Sequence, residues 1–444
     1  MPKAELLFLA CAASMAPAAA QTSADIREIL DRLARIEQEN RALREEVRAL
    51  RTEIRELRPA AAAPASTVEE RVEIHARRLE EFSQTKVEAS QKFPIRLTGM
   101  ALFNVHRNGP NSGGQDVSTT ASAVKTRSAA GASVRQSVLG FQYHGPETFG
   151  GGKVSGSLFL DLYDGAAAAF GSPLRVRTAS INLDWKTRGV SFGLEKPIFA
   201  PREPNSLAQV GISPLTSAGN LWVWLPQVRA EQKLRFSRSS QLRAQLGVVQ
   251  TAEDRGTAAG STTPFDRRRP GLEGRFQFEH ALDDTRRVEV APGFHFSRSR
   301  VLGQGVPSSL FSLDWFANPW EKLEFTGAFF DGQNVSHFGA LRQGWRALPG
   351  GRAIPVHSTG GWGQFTFLAL SRLTFNAYGG VHDDRNSDLA AGGIGRNLAG
   401  AANVMFRAAP NVILSFEAMQ TRTSYIGIGT RHNNRYDLAV AYLF

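Results

Sequence analysis

The sequence predicts an all-β chain, a 16-stranded antiparallel transmembrane β-barrel preceded by an α-helical coiled coil. Three observations predict it. The hydrophobic period is that of a heptad seam over residues 26–57 and becomes two after Pro94. Sixteen segments of about ten residues follow, the length a tilted strand needs to cross a bilayer. The connections between them alternate long and short.

Residues 1–20 read as a secretory signal peptide: Lys3, an apolar stretch from Leu6 to Met15, then Ala18, Ala19 and Ala20. The single cysteine, Cys11, lies inside that segment. Its acylation is the weaker reading, because only about five apolar residues precede it where a signal core has ~7 or more. No disulfide framework or thiolate metal site is expected in the remainder, and no cofactor.

Residues 21–58 form the coiled-coil stalk. Ile26, Leu33, Asn40, Val47 and Ile54 occupy one seam position, and Ile29, Ile36, Leu43, Leu50 and Leu57 the other. A helix with so narrow an apolar seam gains by pairing with copies of itself, and Asn40 fixes register; the mixture of Ile and Leu leaves dimer against trimer open. Residues 59–92 are an Ala/Pro linker, Pro59 to Pro64, and a second helical segment with Val72, Leu79 and Phe82 as its stripe.

Residues 93–444 are the barrel. Strands are expected at 95–106, 133–145, 153–164, 174–186, 190–199, 221–237, 241–251 and 271–280. The second half follows at 287–298, 308–316, 321–331, 360–370, 373–382, 396–407, 411–423 and 435–444. Alternate positions are apolar, as in Ile95, Leu97, Phe103 and Val105, in Leu242, Leu246 and Val248, and in Leu414 and Phe416, while their neighbours are largely polar. The fourth segment breaks the rule, because Arg175 and Arg177 share parity with Ala179, Ile181 and Leu183; a bulge near Thr178 reconciles them. Long connections include 107–132, 200–220, 299–307, 332–359 and 424–434. Tyr143, Trp185, Trp315 and Tyr442 fit an aromatic belt at one interface, and Trp222 and Trp224 are placed in the opposite belt in preference to a loop folded inward, the alternative. In the last segment Tyr436, Leu438, Val440, Tyr442 and Phe444 share one face. This resembles the closing strand of bacterial outer-membrane barrels, where a terminal Phe belongs to the signal read by the barrel-assembly machinery.

Charge is uneven. Residues 1–92 carry 15 Lys and Arg against 16 Asp and Glu, leaving 37 against 25 for the rest. Parity turns Arg96, Arg229, Lys233, Arg235, Arg243 and Arg275 inward, joined by Arg175 and Arg177 once the bulge is allowed. Guanidinium groups stay charged and present forked donors to carboxylate or phosphate. A share of them is expected to pair with Asp161, Glu231, Glu273, Glu279 and Glu289 as a structural ladder. Export makes nucleic acid the weakest partner for the surplus, and small anionic solutes and outer-membrane lipids the better ones.

Four runs carry a family likeness. Arg135-Gln136-Ser137 with Gly140-Phe141, Gly152-Lys153-Val154 leading to Asp161, Leu174-Arg175-Val176-Arg177 with Ala179, and Pro226-Gln227-Val228-Arg229 resemble the DcaP-like outer-membrane porins. The chain departs from them at Val138 and Phe159. The resemblance implies a periplasmic coiled coil before a 16-stranded barrel, a homotrimer, and passage of small negatively charged solutes, including dicarboxylic acids. By analogy with such porins the connection 200–220, which carries Arg202, folds into the lumen and sets its width. No HExxH, Walker, GxSxG or EF-hand spacing occurs, so an enzyme is not expected. An outer-membrane tether built on the stalk, and a phosphate-type selective porin, are the alternatives.

Overall fold

The computed structural model describes residues 95–163, 174–251, 269–301 and 304–444. The expected signal peptide, stalk, linker and second helix all lie outside them. The first half of the sheet is β1 (Ile95–Asn108), β2 (Ala129–Ser133), β3 (Val138–Thr148), β4 (Gly152–Asp161), β5 (Arg175–Asp184), β6 (Arg188–Glu195), β7 (Leu225–Arg235), β8 (Ser240–Thr251) and β9 (Arg269–Ala281). The chain continues through β10 (Arg287–Val301), β11 (Gln304–Trp320) and β12 (Leu323–Gln333) to a small hairpin, β13 (Trp345–Ala347) with β14 (Ala353–Pro355). It ends with β15 (His357–Leu370), β16 (Leu373–Asp384), β17 (Ile394–Ala409), β18 (Val412–Tyr425) and β19 (Gly429–Leu443).

Apart from the hairpin, these form one antiparallel sheet that closes on itself. The last strand, β19, pairs with β1 from Met100 opposite Leu443 to Asn108 opposite Arg435. Both β2 and β3 pair with β1, so they are two pieces of one stave, and the barrel has sixteen. Closure is what the apolar faces require, since a sheet in hydrocarbon has to satisfy its own backbone.

The side chains are distributed inside out relative to a water-soluble protein. Leu438 is 58% exposed and Val440 45%, whereas Ala439 between them is 3% exposed and Asp437 before them 2%. On β1 the exposed Phe103 and Val105 alternate with the buried Asn104 and His106. The expected terminal set, Tyr436, Leu438, Val440, Tyr442 and Phe444, all faces outward.

Three expectations need correction. The long connections placed at 299–307 and 424–434 are mostly strand: Val301 pairs with Gln304, and Tyr425 with Gly429. These hairpins keep their ladders beyond the apolar band, where polar residues on both faces hide the period-two signal. The second expected strand, 133–145, is interrupted at residues 134–137, which bring Arg135 and Gln136 to buried positions. Trp222 and Trp224 belong to neither a strand nor a belt. They precede β7 on a segment folded into the barrel, where the Trp222 amide donates to the Phe338 carbonyl at 2.8 Å.

That segment, residues 196–224, is the inner loop, and its course follows the wall. The Ile198 amide donates to Glu273 (2.8 Å), the Asn205 amide to Gln364 (2.7 Å) and the Ser206 hydroxyl to Glu417 (2.7 Å). Further on, Asn104 donates to the Leu207 carbonyl at 2.8 Å. The Gln136 side chain donates to the Ala208 carbonyl and accepts from the Val210 and Gly211 amides. Apolar residues seat the return limb: Leu215 and Ala218 pack with Trp362, Tyr378 and Met419, and Phe199, Leu221 and Val223 with Leu310, Phe330 and Phe338. Gly219 is held at φ +101°, and a Cβ there would meet the backbone oxygens of Gly361 and Val381. Gly219→Val should cost on the order of 1–3 kcal/mol through the forbidden φ and the overlap. The expected readouts are a lower unfolding midpoint in detergent and new proteolytic cleavage within residues 200–220.

Candidate functional site

The alternation of β7 to β10 aims charged and polar side chains inward at alternate positions, and the inner loop supplies the opposing groups. Together they line a cavity of about 530 Å³ that includes Glu195 at the end of β6, Arg229 and Arg243 from β7 and β8, Arg275 from β9, Arg287 and Glu289 from β10, and Lys196 and Arg202 at the start of the inner loop. Four of the residues expected in the lumen therefore meet in one place. Arg202 bridges loop to wall: its Nε donates to Asp314 Oδ1 at 2.6 Å and its Nη2 to Glu289. Arg275 grips the same carboxylate by both oxygens, Nε donating to Oδ2 at 2.7 Å and Nη2 to Oδ1 at 2.8 Å. Arg287 pairs with Glu289 at 2.5 Å, and Arg229 with Glu195 at 3.2 Å.

Lys233 and Arg243 stand directly opposite each other on β7 and β8, an unfavourable pair of like charges. Glu231 lies against both: Lys233 Nζ is 3.6 Å from Oε1, and Arg243 holds Oε2 through Nε and Nη2. Lys196 reaches Glu203 at 2.8 Å, and Ser213 donates to the same carboxylate. Burial alone would raise the Glu203 carboxyl, but Lys196, Ser213 and Arg177 together hold it below the ordinary carboxylate range.

The bulge in β5 is real, with Phe159 opposite Thr178 and Leu160 opposite Val176, so that Arg177 is the extra residue. The extra residue lets Arg175 and Arg177 reach the same carboxylate. Arg175 grips Asp161 through Nε (2.9 Å) and Nη2 (2.7 Å), and Arg177 through Nη1 (2.9 Å). Both also donate to the inner loop, Arg175 to Gly211 and Arg177 to Val210. Aromatic rings interleave with the guanidiniums in one column. Arg135 lies 5.6 Å from the Tyr163 ring, Arg175 5.3 Å from Tyr163 and 4.8 Å from Trp224, and Arg177 4.9 Å from Trp224.

Arg96 and Arg235 do not join either group. Both are exposed, in β1 beside its first residue and at the last residue of β7, and neither forms an ion pair with another described residue. Sequence reasoning missed Lys196, Arg287, Asp314, Tyr163 and Trp224. For Arg287 the signal was present, since it shares parity with Glu289. Trp224 and Lys196 gave none, because both follow from the path of the loop.

Among the ion pairs of this lumen region, nine cations (Arg175, Arg177, Lys196, Arg202, Arg229, Lys233, Arg243, Arg275, Arg287) face six anions (Asp161, Glu195, Glu203, Glu231, Glu289, Asp314). Pairing within this group of fifteen is extensive and leaves three positive charges over; the wall carboxylates Glu273 and Glu417, which hold the inner loop, lie outside it.

No protein-family model matches the chain, and no curated protein matches it in sequence. Solved structures do. The outer-membrane channel DcaP of Acinetobacter baumannii superposes with a TM-score of 0.64 at 15% identity, over 79% of this chain and 97% of that one. The chain has the fold of an outer-membrane porin. A second porin, described as anion-selective and from Comamonas acidovorans, gives a TM-score of 0.54 at 12% identity, over 79% of this chain and 99% of that one. At these identities the likeness is one of fold, and the charges lining this porin fold have to be read from its own residues.

Arg202→Ala removes the partner that Glu289 and the buried Asp314 share on the loop side. Because Asp314 keeps Arg275 and Glu289 keeps Arg287, a loss of about 1.5–3 kcal/mol is expected, measured as the unfolding free energy in detergent. The Glu203 carboxyl, depressed in the fold, contributes stability above its unfolded value of about 4.3 that is lost as pH falls through the folded one. The inner loop should therefore become protease-sensitive in acid, and Glu203→Gln should weaken that pH dependence.

Proposed function

We propose that the chain is a passive, anion-preferring porin of the bacterial outer membrane, with its amino-terminal stalk in the periplasm. It works as a homotrimer and admits small carboxylates and related oxyanions. The carrying observation is the surplus of three cations among the fifteen paired charges of the site, on a wall whose outer face is apolar. An entering anion meets guanidinium groups fixed by carboxylates behind them, so the donors need little reorganisation to greet it. Water still fills the path, which keeps each attraction small enough for release. The inner loop narrows the lumen and carries Lys196 and Arg202 to the wall's own arginines. The description of the Comamonas porin as anion-selective agrees with this reading.

A unit charge about 8 Å from the ion path in water contributes roughly 0.5 kcal/mol, a factor of about two in relative permeability. In planar bilayers with a KCl gradient, the reversal potential should show chloride preference. Arg229→Ala with Arg243→Ala should lower the chloride-to-potassium ratio about fourfold on that scale. A cation-selective or silent wild type would remove the porin reading proposed here and favour a tether.

A further inference from the structure

The column of alternating cations and rings suggests a role for Trp224 that charge counting does not contain. Asp161 is fully engaged: Oδ1 accepts from Arg175 Nε and from the Tyr163 amide, and Oδ2 from Arg175 Nη2 and Arg177 Nη1. A guanidinium has five N–H donors. Arg175 uses three, two on Asp161 and one on the Gly211 carbonyl; Arg177 uses two, on Asp161 and the Val210 carbonyl. Among the described residues, none engages the Arg175 Nη1 donors or the Arg177 Nε and Nη2 donors. The side chains are 31% and 16% exposed, and the cluster carries one net positive charge.

Both guanidinium carbons lie within 5 Å of the Trp224 ring centroid, at 4.8 and 4.9 Å. The wall supplies the cations and the inner loop supplies the ring. A planar cation packed on an indole face loses rotational freedom without losing hydrogen-bond donors, because the ring engages the π surface of the guanidinium and not its N–H edge. We propose that Trp224 is a specificity-determining positioning residue. It holds Arg175 and Arg177 as a transient station for small oxyanions, carboxylate or phosphate, whose oxygens take the unengaged donors. The proposal rests on the anion-porin reading and deepens it, assigning oxyanion affinity to a stacked pair and not to the lumen charge at large.

The test compares wild type, Trp224→Leu and Trp224→Phe in planar bilayers, recording the chloride reversal potential and the concentration of inorganic phosphate or acetate that halves the chloride current. Trp224→Leu should raise the half-blocking concentration roughly fivefold. The heat-dependent gel mobility of the folded barrel should stay as in wild type, and Trp224→Phe should restore most of the block. A leucine variant blocked at the wild-type concentration overturns the proposal, as does a phenylalanine variant as weak as leucine. Phosphate blocking where acetate does not would narrow the station to phosphate and still uphold it. Should Trp224→Leu fail to assemble, Arg177→Lys keeps the charge and removes the planar contact; an unchanged half-blocking concentration there also overturns it. A wild type without anion preference would remove the parent reading on the reversal potential alone, whatever the variants do.

Discussion

The structure depends on the closure of one hydrogen-bond ladder, between the first and last strands. Met100 to Asn108 meet Leu443 to Arg435 in unbroken antiparallel register, so the carboxyl-terminal strand completes a ring that the preceding staves can only leave open. Backbone polar groups have no partner in hydrocarbon other than one another, and an unsatisfied one costs several kcal/mol. Once the ring is fixed, strand parity decides everything else about sidedness: which residues meet lipid, which meet the lumen, and where an inserted residue reverses the pattern.

The lumen departs from a simple pipe because the inner loop is bonded to the wall along its course. The bonds come from polar side chains that an isolated barrel would leave facing water, among them Asn104, Gln136, Glu273, Gln364 and Glu417. Buried charges are stable only when paired and hydrogen-bonded, and the loop is placed where it meets that requirement. Arg202 illustrates this, reaching across 112 residues of sequence to share Asp314 with Arg275. The carboxylates thereby act in two ways at once. They anchor the guanidinium groups and, within the site, are outnumbered by them, nine cations to six anions.

Much of this was legible in the chain. The sixteen staves, the outward terminal face and the β5 bulge all follow from period-two alternation and its single violation at Arg175 and Arg177. The inward course of residues 200–220 came from analogy, and the residues bear it out. Legibility failed where alternation stops carrying information. Beyond the bilayer a strand has no apolar face, so residues 299–301 and 424–425 read as loop. Aromatic residues are ambiguous too: Trp224 has the composition of a belt residue, and only the path of the chain before β7 puts it against two arginines. The pairing of Lys196 with Glu203 and of Arg202 with Asp314 depends on how a loop folds over a distant wall, which no local pattern encodes.

The gap in the second stave has a consequence for how such a chain can change over generations. Where residues 134–137 leave the ladder, the Gln136 amide does for the inner loop what a peptide group does for a neighbouring strand, giving to Ala208 and receiving from Val210 and Gly211. A descendant that healed the gap with ordinary strand residues would swing this latch away and leave three main-chain groups stranded. Interruption and inner loop are therefore mechanically one feature, joined by those three bonds.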